Sequence, residues 1–255
     1  MIERPDLLPV NTTMTDRLDA LFRHFALSAE LFHTGRIREV VDLDEPGLGH
    51  LHVIRDGALD VHYDGQPALA VREPTLLLYP RSMPHRFVVD SDTGADLACA
   101  RLRFQGGAAH PIAEALPPFV ALPLSSLGWT GSLLDALFHE AEHDYCGRRV
   151  VLDRLFEVLF VQVLRTLMHA GNLRAGLMAG LAHPKLRLAL VAMHEHPADD
   201  WSLDGLAQRS GMSRSAFAEA FRMEVGETPG AYLQRWRIAL AQRALREGRG
   251  LKLIA

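Results

Sequence analysis

Residues 201–245 read WSLDGLAQRSGMSRSAFAEAFRMEVGETPGAYLQRWRIALAQRAL. The pattern predicts two short helices joined by a tight turn, followed by a long helix over 230–247. Ser202 and Ser213 stand where N-caps are expected, each just before an apolar-periodic run. Gly211 lies in the predicted turn, where a left-handed backbone favours glycine. The stretch therefore predicts a compact helical unit with a sharp turn between its first two helices.

The second predicted helix has an inner and an outer side. Phe217 and Phe221 are four residues apart, so both face the core. Two helices joined by such a turn form a helix-turn-helix, whose second helix fits the major groove of B-DNA. A purely structural three-helix unit would show the same pattern. The DNA-binding candidates are the polar residues left outside on this helix and on the next: Ser213, Arg214, Ser215, Glu219, Arg222, Arg235 and Arg237.

The same stretch resembles, without a gap, the AraC/XylS family of bacterial transcription regulators. The resemblance rests on Gly211-Met212-Ser213, Gly226, Pro229, Tyr232-Leu233 and Arg235-Trp236-Arg237. It implies that 213–222 is the first of two recognition helices and that 230–247 is the helix linking them. The sequence given stops at Leu251–Ala255, where the second unit would begin. We therefore expect the module over 185–255 to be incomplete.

The part of the chain before residue 125 has a different sequence pattern. Short apolar runs alternate with turn signals such as Asp56-Gly57 and Asp64-Gly65, which favours a sandwich or barrel of short strands. A helix over Thr13–Leu31 is predicted to lead into them. The predicted strands are Leu51–Ile54, Ala58–Tyr63, Ala68–Val71, Thr75–Tyr79, Arg86–Val89 and Leu97–Phe104.

This region resembles the cupin-type effector domains that precede such DNA-binding modules. The resemblance rests on HLHVIRDGALDV at 50–61 and LLLYPRSMPHRF at 76–87. The expected fold class is α+β, a cupin-like β-barrel with two packing helices followed by an all-α helix-turn-helix domain. The expected division is a sensor over 1–127, a helical hairpin over 128–171 that supplies a dimer face, a Gly- and Ala-rich linker over 172–184, and the module over 185–255.

A metal or effector site is predicted inside the barrel. His50 and His52 are two residues apart, so on a strand they share one face. By the resemblance, His85 stands where the second cupin motif has a ligand, and Cys99 lies on a later strand. Imidazole and thiolate ligands suit zinc or another transition metal. The alternatives remain open, because 13 histidines make accidental pairs common and Cys99 also fits a small buried apolar position.

Composition and charge bound the remaining possibilities. The 255 residues are 48% apolar and 23% charged, which is ordinary for a globular protein. Two cysteines, no export signal and no membrane-length apolar run favour a cytoplasmic protein. The net charge is −4 overall, yet residues 184–255 carry 11 basic and 8 acidic residues. A basic C-terminal segment on an otherwise acidic chain is consistent with binding to nucleic acid.

These observations predict a regulator, not an enzyme. It would bind double-stranded DNA as a homodimer and sense a small molecule, a metal or an oxidant in its cupin domain. One alternative is a metal-dependent cupin oxygenase or isomerase, which needs at least three ligands and an open coordination position. Another is a shortened regulator that acts only by dimerising with its full-length partner.

Overall fold

The structure is a computed structural model that describes residues 16–105, 110–170 and 175–248. These residues form two compact units. The sheet unit comprises the described residues of 25–179, and the helical unit comprises 16–24 together with 180–248. The predicted start of a second DNA-binding helix-turn-helix, Leu251–Ala255, lies outside the described residues.

The sheet unit contains two antiparallel sheets. A five-stranded sheet has the order β1-β8-β3-β6-β9, and a four-stranded sheet has the order β2-β7-β4-β5. All six predicted strands are confirmed, as β3 to β8. The strands are β1 Leu27–Ile37, β2 Val41–Leu43, β3 Gly49–Gly57, β4 Leu59–Tyr63, β5 Leu69–Val71, β6 Thr75–Tyr79, β7 His85–Val89, β8 Ala95–Phe104 and β9 Val120–Pro123.

One apolar core joins the two sheets. Ile54, Leu77 and Leu97 come from the five-stranded sheet, while Val61 and Phe87 come from the other, and all belong to the same buried cluster. Burying their side chains between the sheets is the main stabilising contribution of such a sandwich. The α+β fold class and the cupin-like arrangement of strands are confirmed.

Helices cover the outside of the five-stranded sheet. The short helix α2, Pro111–Ala115, and a 3₁₀ helix, Leu124–Thr130, precede α3, Gly131–Glu142, and α4, Arg148–Ala170. The predicted pair of antiparallel helices thus corresponds to α3 and α4. Helix α4 packs along β1 and belongs to the sheet unit, so the predicted boundary at 127/128 does not separate compact units.

The helical unit follows the predicted pattern closely after residue 185. The Ser202 hydroxyl accepts from the Gly205 amide and the Ser213 hydroxyl from the Ala216 amide, as expected of N-caps. The helices are α1 Asp19–His24, α5 Leu177–Ala182, α6 Leu186–Glu195, α7 Leu203–Arg209, α8 Arg214–Val225 and α9 Pro229–Arg246.

The lead-in helix was predicted too long and placed in the wrong unit. Where the helix was expected to continue to Leu31, α1 ends at His24 and β1 begins at Leu27. Strand β1 pairs with β8 from Leu27↔Phe104 to Ile37↔Ala95. The hydrogen bonds and packing of this long ladder stabilise the strand more than the helical spacing of its apolar residues favours a helix. Helix α1 belongs to the helical unit and packs on α6.

The predicted linker over 172–184 contains helix α5. A Cβ at Gly180 would lie 2.7 Å from the Leu190 and Val225 side chains. Glycine at position 180 therefore allows close packing against α6 and α8, a reason that composition alone does not reveal. Residues 172–174 lie outside the described chain.

Candidate functional site

Three histidines meet inside the sheet unit. His50 and His52 lie on β3, and His85 begins β7 in the other sheet. One ring nitrogen from each residue lies within 4.8 Å of those of the other two, and all three side chains are buried. The structure thus brings together the three histidines that were predicted from the sequence as candidate ligands.

The protonation of His85 is fixed by the backbone beside it. Its Nδ1 lies 2.8 Å from the Met83 carbonyl oxygen. Because a carbonyl only accepts, Nδ1 carries the hydrogen and Nε2 presents a lone pair. That Nε2 lies 3.0 Å from Nε2 of His52. Nε2 of His52 therefore donates to the lone pair of His85, and Nδ1 of His52 is left as its lone-pair atom.

A half-buried carboxylate fixes His50 in the same way. Nε2 of His50 lies 2.7 Å from Oε2 of Glu45. Arg101 holds Glu45 through both carboxylate oxygens, and this hydrogen bonding lowers the pKa of Glu45 to about 2. The ionised carboxylate accepts from Nε2, so Nδ1 of His50 is left as the lone-pair atom. A ligating histidine is commonly oriented by a carboxylate or a carbonyl on its second nitrogen.

The three histidines of the cluster are held in the neutral form. Burial lowers the pKa of His50, lowers that of His52 strongly, and lowers that of His85 to about 4. All three imidazoles are therefore neutral near pH 7 and keep their lone pairs. Nδ1 of His50 and Nδ1 of His52 are buried without a hydrogen-bond partner, which is costly unless something binds there. Three neutral imidazoles fit zinc or a similar transition metal.

Cys99 lies beside this cluster without joining it. It sits opposite His52 in the β3–β8 ladder and is buried in the apolar core. Burial raises the pKa of its thiol, which disfavours the thiolate that binds metals. Among the described residues, the group of converging ligand atoms contains the three histidines and not Cys99.

An open groove on the surface of the sheet unit borders the cluster at His85. It has a volume of about 770 Å³ and is lined by His85 together with Asp42, Asp44, Asp64 and other residues of β2, β4 and β7. The ring of Tyr79 stacks on His85 with centroids 3.9 Å apart, which fixes the plane of the histidine ring. An acidic groove favours the approach of cations.

The second candidate site is the helix-turn-helix. Gly211 has φ +60°, the left-handed conformation expected of the turn between α7 and α8. Ala207 is buried and its carbonyl accepts from the Met212 amide. Phe217 and Phe221 are fully buried, with ring centroids 5.6 Å apart. The inner and outer sides of α8 are therefore as predicted.

The outer side of α8 carries the predicted polar residues. Ser215, Glu219 and Arg222 are exposed, and so is Ser213, whose hydroxyl caps the helix. Arg214 is also exposed and lies 3.0 Å from Asp204 of α7. Within the described chain, Arg222 has no ion-pair partner. Its guanidinium is thus available to an external anion such as a phosphate.

Arg235 and Arg237 on α9 have partners within the helical unit. Arg235 pairs with Glu227 at 2.6 Å and lies over the Tyr232 ring. Arg237 donates to the carbonyls of Pro197 and Asp199 at 2.6 and 2.8 Å. Arg235 thus fixes the start of α9 to the segment just before it, and Arg237 fixes α9 to the loop that precedes α7. The spacing of the two residues in the sequence does not indicate these positioning roles.

Two features were missed at the sequence level. The role of Glu45 depends on its contact with His50, which only the fold creates. His139 and His143, by contrast, belong to the sequence His139-Glu140-Ala141-Glu142-His143, whose spacing is a known metal-binding signature. The expectation that the chain contains no His-Glu-x-x-His motif is therefore wrong from the sequence alone.

Comparisons with known proteins agree on the family. Residues 16–169 match the family described as Cupin, and residues 206–255 match one described as Helix-turn-helix domain. A putative AraC-like transcription regulator of Streptomyces lividans is 32% identical over 265 residues, covering 92% of this chain and 86% of that protein. The transcriptional activator RclR of Escherichia coli, named RCS-specific, is 25% identical over 203 residues, covering 76% and 72%.

A solved structure of ToxT from Vibrio cholerae with bound unsaturated fatty acid also matches. It is 9% identical with a TM-score of 0.35, over 91% of this chain and 84% of that one. Among the described residues, no helix combines the length and apolar character needed to cross a membrane.

The fold and the two sites define a helix-turn-helix transcription regulator with a cupin-type sensing domain. The chain belongs to the AraC-like family of transcription regulators.

Proposed function

We propose that this regulator senses a divalent transition metal at His50, His52 and His85 and binds DNA through the exposed side of α8. The observation that carries the metal proposal is the convergence of three neutral ring nitrogens within 4.8 Å. Glu45 and the Met83 carbonyl orient two of these rings, as second hydrogen-bond partners commonly do for metal-binding histidines.

Binding without catalysis is favoured over a cupin enzyme. The relatives are named transcription regulators. Within the described chain, no carboxylate joins the three histidines as a fourth ligand. Glu45 is engaged by Arg101 and His50, which makes it an orienting group and leaves it unsuited to proton transfer at pH 7.

A small organic effector in the groove beside His85 is the second candidate. The groove volume of about 770 Å³ is sufficient for such a molecule. The solved ToxT structure is described with a bound unsaturated fatty acid. The acidic residues of the present groove favour a cation over a carboxylate ligand.

The metal proposal is tested by calorimetric titration of the purified chain with Zn²⁺. We expect His85→Ala to remove one equivalent of bound zinc, because it deletes a ligand with a fixed lone pair. His62→Ala is the matched control, since His62 is exposed and lines the same groove. Equal zinc binding by wild type and His85→Ala would contradict the proposal and favour the organic effector.

The DNA proposal is tested by selection from genomic fragments, followed by affinity measurement at fixed salt. We expect Arg222→Ala to weaken binding about tenfold or more, since one good arginine contact to a base contributes about 1–3 kcal/mol. Arg246→Ala removes the same charge from the exposed end of α9 and serves as the control. Equal losses in both variants would show that α8 does not read the DNA.

A further inference from the structure

A second pair of histidines lies at the end of α3, on the surface of the sheet unit. The ring centroids of His139 and His143 are 4.3 Å apart, with an interplanar angle of 39°. His139 is in the last turn of the helix, while His143 follows it with an extended backbone at φ −116° and ψ 145°. Both side chains are exposed.

The surroundings orient both rings. Nδ1 of His143 lies 2.7 Å from the His139 carbonyl oxygen, so Nδ1 carries the hydrogen and Nε2 keeps its lone pair. Tyr145 stacks on His143 with centroids 5.1 Å apart and rings 4° from parallel. The Tyr145 hydroxyl is hydrogen-bonded to Nε2 of His139 at 3.4 Å, so an ion bound at this nitrogen takes the place of the hydroxyl.

The local charge favours a cation. Glu140 and Asp144 flank the two histidines in sequence. Glu142 is paired with Arg55 at 2.5 Å, and Arg55 also binds Asp96 beside it. These ion pairs hold the end of α3 on the sheet. The Arg148 guanidinium donates to the carbonyls of Glu140 and Ala141, and the carboxylates of Glu140 and Asp144 together exceed its charge by one.

We infer that His139 and His143 form an exposed binding site for a divalent transition metal ion such as Zn²⁺ or Ni²⁺, separate from the three-histidine cluster. Two imidazoles at this spacing supply two ligands, and water completes the coordination sphere. The ion bridges a residue within α3 to a residue beyond it, so it stabilises the end of the helix and the turn that leads into α4.

The same spacing in metalloproteases has a different geometry. There both histidines lie on one continuous helix, the glutamate acts as general base, and a third protein ligand completes the site. Here α3 ends at Glu142. In the described part of the chain, the only group of three or more converging ligands is the cluster of His50, His52 and His85. The geometry points to metal binding without hydrolysis.

The experiment is a Zn²⁺ titration of the full chain, in the wild type and in a His85→Ala background. We expect the double variant His139→Ala, His143→Ala to lose one equivalent of zinc in both backgrounds. Each single variant should weaken this site at least about tenfold, since even outer-shell changes cost that much. Because His85→Ala acts on the other cluster, failure of one metal proposal leaves the other testable.

His169→Ala is the matched control. His169 is exposed on α4, and its Nδ1 lies 2.6 Å from the Arg165 carbonyl four residues earlier, the same bond that His143 makes. It should retain the full zinc stoichiometry. Unchanged zinc binding in the double variant, or an equal loss in His169→Ala, would overturn the inference.

Discussion

His194 shows how a single buried base shapes the stability of the helical unit. Its Nε2 is hydrogen-bonded to the Tyr232 hydroxyl, and its ring packs on Trp236 with centroids 4.3 Å apart. Burial lowers its pKa from 6.5 to about 3. The folded chain therefore keeps His194 neutral at pH values where the unfolded chain protonates it.

This depressed pKa predicts a loss of stability in acid. The contribution of neutral His194 is present above pH 6.5 and is lost as the pH falls towards about 3. Between pH 7 and pH 5 the linked loss is about 2 kcal/mol. We expect His194→Gln to remove that part of the pH dependence of unfolding, measured by tryptophan fluorescence in denaturant. His196→Gln, an exposed neighbour, should behave as wild type, and an unchanged pH dependence in His194→Gln would contradict the assignment.

At the residue scale, the candidate sites were only partly readable. His50 and His52 share a face because strand geometry requires it, so their pairing was predictable. His85 joins them from the other sheet, and only the resemblance to cupins suggested it. The role of Glu45 and the intramolecular partners of Arg235 and Arg237 depend on loops that no local pattern describes.

At the element scale, prediction succeeded where turns bounded the segments. Strands β3 to β8 are separated by Asp-Gly and Pro-containing turns and were identified with small shifts at their ends. The predicted helix over Thr13–Leu31 includes the first five residues of β1, because the half-buried residues of this strand lack strict alternation and its partner β8 lies about 70 residues away. Non-local pairing of this kind overrides local propensity.

Helix α5 yields a prediction of its own. The Gly180→Ala variant would place a Cβ 2.7 Å from the side chains of Leu190 and Val225. We expect a loss of about 1–3 kcal/mol in the free energy of unfolding of the helical unit, the usual cost of overpacking. Gly131→Ala, at the start of α3, meets nothing within 4 Å and should cost nothing. Chemical denaturation compares the two, and a neutral Gly180→Ala would mean that α5 is loosely packed.

At the scale of the whole molecule, α4 leaves an apolar line uncovered. Val151 and Val158 are 41% and 45% exposed and lie seven residues apart, so they share one side of the helix. Exposed apolar side chains in such a line are typical of a surface that meets another protein. They lie on the helix for which the sequence predicts a dimer face, and we propose this line as the contact between two copies of the chain.

The dimer is tested by changing this line. We expect the double variant Val151→Asp, Val158→Asp to shift the chain from dimer to monomer, as followed by light scattering after size exclusion. Val150→Asp is the control, because Val150 is exposed on the same helix but is rotated about 100° away from Val151. Dimers that persist in the double variant would place the interface elsewhere.

Helix α1 precedes the sheet unit along the chain yet folds with the helical unit. Arg17 donates to the Leu181 carbonyl, and the His24 ring packs edge-on against Trp236. During synthesis, α1 therefore leaves the ribosome about 160 residues before its packing partners exist. The sheet unit, being continuous, can fold while the nascent chain is still growing. We expect the DNA-reading helices to mature last, so that each new molecule acquires its sensor before it can act on a promoter.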